Sequence, residues 1–371
     1  MRLVWLLLLS LGLGLGGLYL ATREELFSAA LYAPTELTPA LAALALACLL
    51  ALWLAPVAKL VLLARSQGQR LGWWHAFVAH VAQVFGTAMT PAGTGGAPFL
   101  VVALGEVGVP SGVGLALAVQ LFVLDLAALG VLILLGLGYL LLASPVVLGP
   151  LLAVTAGVAG AAALAVSVLL ARFPAPAVRW LHALTRWRIL RRFRPHLRRM
   201  AVDYRASATA FRDLPLVDWA WLHLVNLTAW LSNFALFWVL LTMYGADTPL
   251  LQVLALLAMI TLLSFFVPTP GASGVMELLL GLAAFDTGSR LRSVAAPVVL
   301  WRLTTFYAAF VLGPLCASLL LTRRRDRPGR PAREAVAAAA GPGTGNGTGR
   351  RHRAGTDPDD VTADDGEDGG A

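Results

Sequence analysis

Residues 264–281 read SFFVPTPGASGVMELLLG, and they interrupt an apolar run that would otherwise continue as one membrane helix. Pro268 and Pro270 each remove a backbone donor, Gly271 and Gly274 permit tight turns, and the carboxylate of Glu277 follows the break. A half-helix can therefore begin inside the protein, with Thr269 capping its start and Pro270 in its first turn. The free N–H groups and positive dipole end of such a half-helix favour an anionic guest, for which a lipid phosphate is suited.

The surrounding composition requires a membrane. Of 371 residues, 58% are hydrophobic and 13% charged, with mean hydropathy +0.77; a soluble domain carries about 25% charged residues. A run of about 20 apolar residues crosses the hydrocarbon core as a helix, and open strands would leave backbone groups unpaired in lipid. The expected fold class is an all-α polytopic integral membrane protein. Spanning helices fall at about 3–20, 38–63, 113–142, 146–171, 217–243 and 292–321. Two further apolar segments, about 76–105 and 249–285, are each broken by a Pro/Gly cluster. The first helix, MRLVWLLLLSLGLGLGGLYLA, is read as uncleaved, because its apolar run is long for a signal core.

The formal net charge is +8, carried almost wholly by arginine, and Lys59 is the one lysine. The arginines flank hydrophobic spans, so a positive-inside bias explains them better than a nucleic-acid partner. Residues 172–212 form a basic cytoplasmic loop with eleven arginines, interleaved with Trp180, Leu184, Trp187, Ile189 and Phe193, which suits contact with anionic lipid. Residues 323–371 change abruptly to Gly, Pro and charge, the signature of a disordered cytoplasmic tail. Asn346 opens a sequon there, on the side away from glycosylation. Cys48 and Cys316 stand apart and suggest neither a metal site nor a disulfide. No cofactor is expected, and no Gly-rich loop ends in Gly-Lys-Ser/Thr for an ATP-driven pump.

Charge bias also sets topology. Arg2 lies inside, Lys59, Arg65 and Arg70 bring the chain back inside, and the 172–212 loop and the triplet Arg323–Arg325 are inside as well. Parity then makes segment 76–105 a hairpin entering and leaving on the inner side, and segment 249–285 one on the outer side. The protein is expected in the cell membrane with both termini cytoplasmic.

The break at 264–281 has a counterpart. TPAGTGGAP begins at Thr90 and TPGASGVME at Thr269, an offset of 179 residues (269 − 90). Thr90-Pro91 matches Thr269-Pro270, Thr94 is replaced by Ser273, and Gly95 matches Gly274; Val119 falls on Val298 and Val123 on Arg302. With opposite orientations the two halves, about 38–142 and 217–321, form an inverted repeat with two re-entrant hairpins, an architecture of secondary transporters. Domain 1–322 is thus a transport-type membrane domain.

Charges at membrane depth are functional candidates. Glu277 and Arg302 either lock two helices together or serve a substrate, Arg302 taking its negative group and Glu277 an amine or a coupling proton. Asp125 is weighed the same way. Glu106 is read as a solvated hairpin end, and Gln83, Gln120, His80, His223, Asn226 and Asn233 as helix-to-helix hydrogen-bonding groups.

TPAGTGGAPF with GEVGVP, and PTPGASGVMELLL with VLWRLTTFYAAFVLGPL, resemble the transmembrane region of lysylphosphatidylglycerol synthases and related stand-alone flippase-like proteins, over roughly residues 5–321. The resemblance implies movement of lipids between leaflets, notably anionic or aminoacylated phospholipid. It implicates Thr90, Pro91, Gly95 and Gly96 in the first motif, and Pro268, Pro270, Gly271, Gly274, Glu277 and Arg302 in the second. Ala97 departs from it, standing where relatives often have Glu or Gln. The tail stands where the full synthases carry a soluble aminoacyl-transferring domain, so no synthase activity is expected and the chain is read as a non-enzyme.

Two other readings are open. A scaffold or accessory protein for a lipid-modifying enzyme or glycosyltransferase would use the basic loop and tail for docking. Gly271-Ala272-Ser273-Gly274 is similar to the turn of rhomboid intramembrane serine proteases, but a serine nucleophile needs a base within reach. The only histidine after Ser273 is His352 in the tail, so His223 would have to serve from an earlier helix.

Overall fold

A computed structural model describes residues 34–143, 150–173, 179, 194–269, 271–286 and 295–325. The expected helix at 3–20 and the tail beyond 325 lie outside the described residues. The chain separates into units Met1–Thr322 and Arg323–Ala371; the fold below is that of the first.

Among the described residues there are helices and no strands. Helix α1 (Pro39–Ser66) begins where Thr38 Oγ1 accepts the Leu41 N–H at 3.2 Å and Pro39 fills the first position. Helices α2 (Trp73–Met89) and α3 (Gly96–Glu106) follow, separated by the first break, and lie along one another. Then come α4 (Ser111–Ala143), α5 (Pro150–Arg172), α6 (Arg194–Arg212) and α7 (Leu216–Met243). Helices α8 (Leu250–Ser264) and α9 (Val275–Asp286) flank the second break. The chain continues through α10 (Ala295–Arg302), a π-helical turn (Leu303–Tyr307) and α11 (Ala308–Arg325).

Among the described residues, five stretches are long and apolar enough to cross a membrane: Pro39–Ser66, Ser111–Leu142, Val154–Arg172, Leu216–Met243 and Ala296–Cys316. They match five of the six spans expected from hydropathy, and the protein is a multi-pass helical membrane protein. Leu135, Leu142, Val158 and Val311 stand outward on these helices, as lipid-facing side chains do. The half-helices are different. At 1.5 Å per residue α2, α3, α8 and α9 reach about 26, 17, 23 and 18 Å, short of a core about 30 Å thick. The breaks at Pro/Gly clusters are what shorten them.

Among the described residues, two large apolar clusters form most of the core of the bundle. One gathers Leu60, Leu63, Leu100, Leu104, Leu117 and Leu124 from α1, α3 and α4. The other gathers Leu129, Phe234, Phe237, Leu257, Leu280 and Trp301 from α4 and α7 to α10. Helix α6 occupies the C-terminal part of the expected basic loop. Its apolar stripe of Ala201, Tyr204, Ala208 and Phe211 recurs at helical spacing and is buried. That stripe packs on protein, against Leu115, Ala116 and Val119 at the start of α4. A Cβ at Gly112 would lie 2.5 Å from Met200 O, so the close approach needs glycine there. Arg198, Arg199, Arg205 and Arg212 remain exposed on the other face.

Candidate functional site

The two breaks share a backbone conformation. Ala92 and Gly93 take left-handed φ angles of 51° and 67°; Gly271 and Ala272, 179 residues on (271 − 92), take 58° and 54°. The same turn closes each, Gly93 N–H to Thr90 O at 3.2 Å and Ala272 N–H to Thr269 O at 3.1 Å. The next helix opens alike, with Phe99 N–H on Gly95 O at 3.0 Å and Leu278 N–H on Gly274 O at 3.1 Å. The copies diverge at the donor facing the break. Gly95 N–H is taken by Thr90 Oγ1 at 2.6 Å, whereas Gly274 N–H is taken by Glu277 Oε2 at 2.7 Å.

That contact corrects the expected cap. Thr269 does not cap α9, because the left-handed pair delays the helix until Val275; its hydroxyl donates instead to Ser273 O at 3.0 Å. Glu277 is the third residue of α9 and reaches back to the Gly274 N–H, one half of a capping box. The anion that this helix N-terminus attracts is therefore the chain's own carboxylate. The second oxygen of Glu277, Oε1, accepts from Arg302 Nε at 2.7 Å, and the two side chains are 0% and 5% exposed. Arg302 Nη2 also donates to Gly271 O at 3.4 Å, and its guanidinium lies 4.5 Å from the centroid of the Phe306 ring.

Gly271 is fixed by this arrangement. A Cβ there would run into the Phe306 ring, which Arg302 and Phe310 hold in place, and the left-handed angle disfavours any side chain. Gly271→Ala should lower stability by about 1–3 kcal/mol. Ala92→Gly, which relieves a strained alanine on the other copy, should be neutral or stabilising by up to about 1 kcal/mol. Melting curves of the two variants in detergent check both signs.

A second ion pair inside the bundle lies elsewhere. Lys59 Nζ donates to Asp125 Oδ1 at 2.6 Å and to Asn226 Oδ1 at 2.7 Å. Asn226 Nδ2 donates in turn to Leu124 O at 2.7 Å, and Trp230 Nε1 donates to Asp125 Oδ1 at 3.0 Å. Lys59, expected to flank a span on the inner side, is buried; six residues of helix, about 9 Å, separate it from Arg65. The Asp125 side chain is 26% exposed.

Helices of both clusters enclose a cavity of about 670 Å³. Its polar lining includes Lys59, Asp125, His80, Gln83, Asn233 and Thr261, and apolar walls come from Trp53, Phe122, Phe265 and Trp301. Thr304 and Thr305, both within the π-helical turn that follows Arg302, line the cavity as well. The sequence-derived candidates divide at this cavity. Asp125 and Gly96 line it, whereas Thr90, Pro91, Gly95, Thr269, Gly271, Ser273, Gly274, Glu277 and Arg302 do not. Ser273 is 1% exposed, and Pro270 lies outside the described residues. Lys59 was missed as a site residue, although one signal was present: five apolar residues, Leu60 to Ala64, follow it before the first arginine.

Among known proteins, the family model described as the lysylphosphatidylglycerol synthase TM region matches residues 7–313. No curated protein sequence matches the chain.

Proposed function

This chain belongs to the lysylphosphatidylglycerol synthase transmembrane-region family, and on that premise we propose that it moves anionic or aminoacylated phospholipid between membrane leaflets. The observation that carries the reading is the cavity walled by the Lys59–Asp125 pair. Charges within a bilayer protein are expensive and are retained where a polar guest passes. About 670 Å³ falls within the range of small-molecule sites, and a glycerophosphate head group fits that scale. Lys59 supplies the cation for the phosphate, the threonines and amides supply neutral partners, and the acyl chains remain in lipid.

In this reading the two breaks, alike in backbone, are the halves of an inverted repeat with re-entrant hairpins, in the cell membrane with both termini cytoplasmic. The Glu277–Arg302 pair supports the cavity from behind and does not receive the head group. The chain acts without enzymatic chemistry of its own; the buried Ser273, away from the cavity, supports that against a protease.

The test is leaflet exposure of fluorescent phosphatidylglycerol in proteoliposomes of the full chain. Wild type should scramble or move the label at least about tenfold faster than protein-free vesicles, and Lys59→Met should lose most of that gain, given about 1.5–3 kcal/mol for a charge-assisted hydrogen bond. Equal rates with and without protein would leave the scaffold reading in its place.

A further inference from the structure

The two ion pairs inside the helix bundle, Glu277–Arg302 and Lys59–Asp125, differ in what can change them. Glu277 has both oxygens engaged, Oε1 by Arg302 and Oε2 by the Gly274 N–H, and is fully buried. Its partner is a guanidinium, a group that keeps its proton in proteins. Asp125 differs on each point. Lys59 and Trp230 both bond the same oxygen, Oδ1. Among the described residues Oδ2 takes no hydrogen bond, and the side chain is partly exposed where it lines the cavity. Its partner is the one lysine among 28 basic residues.

The groups facing this pair are few. Helix α2 contributes His80 and the neutral Gln83, α7 contributes Asn226, Asn233 and Trp230, and α8 contributes Thr261; the lining residues of α9, α10 and the π-helical turn carry no charge. His80 is thus the one other titratable side chain on the described cavity wall.

From this contrast the geometry points to Asp125 as a proton-loading site that couples translocation to a transmembrane pH difference, one proton accompanying each lipid phosphate. The inference rests on the translocation reading above. Charge balance is the reason. A lone ammonium in a low-dielectric interior is unfavourable by several kcal/mol, so Lys59 needs an anion in every state. In the empty cavity that anion is the Asp125 carboxylate. On loading, water in the cavity delivers a proton to Oδ2, the carboxylate becomes a neutral carboxylic acid, and the phosphate takes its place beside Nζ. Asn226 continues to accept from Nζ throughout. When the lipid leaves on the far side, Asp125 releases the same proton to water there and again neutralises Lys59. One O–H bond is made and the same bond is broken, no electrons move, and the proton and the phosphate monoanion travel together without net charge.

The experiment uses the full chain in vesicles of phosphatidylcholine with trace fluorescent phosphatidylglycerol, a pH difference of one unit across the membrane, and a pH-sensitive dye inside. Relative to protein-free vesicles, label should accumulate toward the more alkaline face and approach a tenfold leaflet ratio, the limit for one proton per lipid. A protonophore should collapse it to about 1. Asp125→Asn should abolish the ratio and the lipid-dependent proton entry seen by the dye, while Asp125→Glu, which keeps an acid on α4, should retain both. Movement faster than in protein-free vesicles but with a ratio near 1, or movement toward the acid face, overturns the coupling and leaves translocation standing. No movement above protein-free vesicles under any condition overturns translocation itself and the coupling with it. Asn and Glu variants that behave alike overturn the assignment to Asp125.

Discussion

Arg302→Ala should destabilise the membrane domain by about 3–5 kcal/mol, the loss typical of removing one partner from a buried pair. The substitution strands Glu277, which is fully buried, with no counter-charge. It also removes the guanidinium that packs on Phe306 and reaches Gly271 O, so the left-handed turn loses its support. Replacing both partners, with Glu277→Gln and Arg302→Met, should recover most of that loss. A glutamine keeps an acceptor for the Gly274 N–H, and a methionine fills the space of the stem. Unfolding of the full chain in detergent, followed by tryptophan fluorescence for wild type, Glu277→Gln, Arg302→Met and the double variant, gives the coupling directly. Additive single losses, with the double variant the worst, would show that the pair is not the lock described here. Translocation should follow stability in this series, because neither residue lines the cavity.

That pair was legible in the sequence because both charges sit in apolar runs only 25 residues apart. So were the long helices, whose lengths the bilayer dictates, and the breaks, where Pro and Gly leave a helix no way to continue. The start of α9 was not. Pro270 and Gly271 suggest a helix opening at once, but two successive left-handed residues hold the chain in a turn until Val275. Lys59 was misread for a related reason. Near Arg65 and Arg70 it looks like one more flanking charge, and its partners lie 66 and 167 residues away on α4 and α7. Pattern along a chain does not carry contacts at that separation. The apolar residues between 180 and 193, expected to meet anionic lipid, lie outside the described residues; within α6 the apolar stripe packs on the protein, while Arg198, Arg199 and Arg205 are exposed on the other face.

Neutralising the other pair should have the opposite profile. Lys59→Met combined with Asp125→Leu removes both charges at once, so no unpaired ion is left buried, and apolar replacement of a buried pair is often neutral or stabilising by about 1–4 kcal/mol. Asn226 loses one donor to its Oδ1 but keeps its bond to Leu124 O, and the Trp230 Nε1–H loses its acceptor; together these set a penalty of about 1–3 kcal/mol against that gain. The double variant should therefore fold with a melting temperature near wild type. Phosphatidylglycerol movement should nevertheless fall by about 10- to 100-fold, since the cavity has lost the cation that holds a phosphate, a contact of about 1.5–3 kcal/mol. The measurement is the pair of readouts together, melting in detergent and leaflet exchange in proteoliposomes. Set beside the Glu277/Arg302 double variant, it separates the two roles: one pair whose joint loss spares transport, and one whose joint loss spares the fold. A Lys59/Asp125 double variant that moves lipid at the wild-type rate would remove the head group from this cavity, because among the described lining residues Lys59 is the one permanent candidate for binding an anion other than the titratable His80.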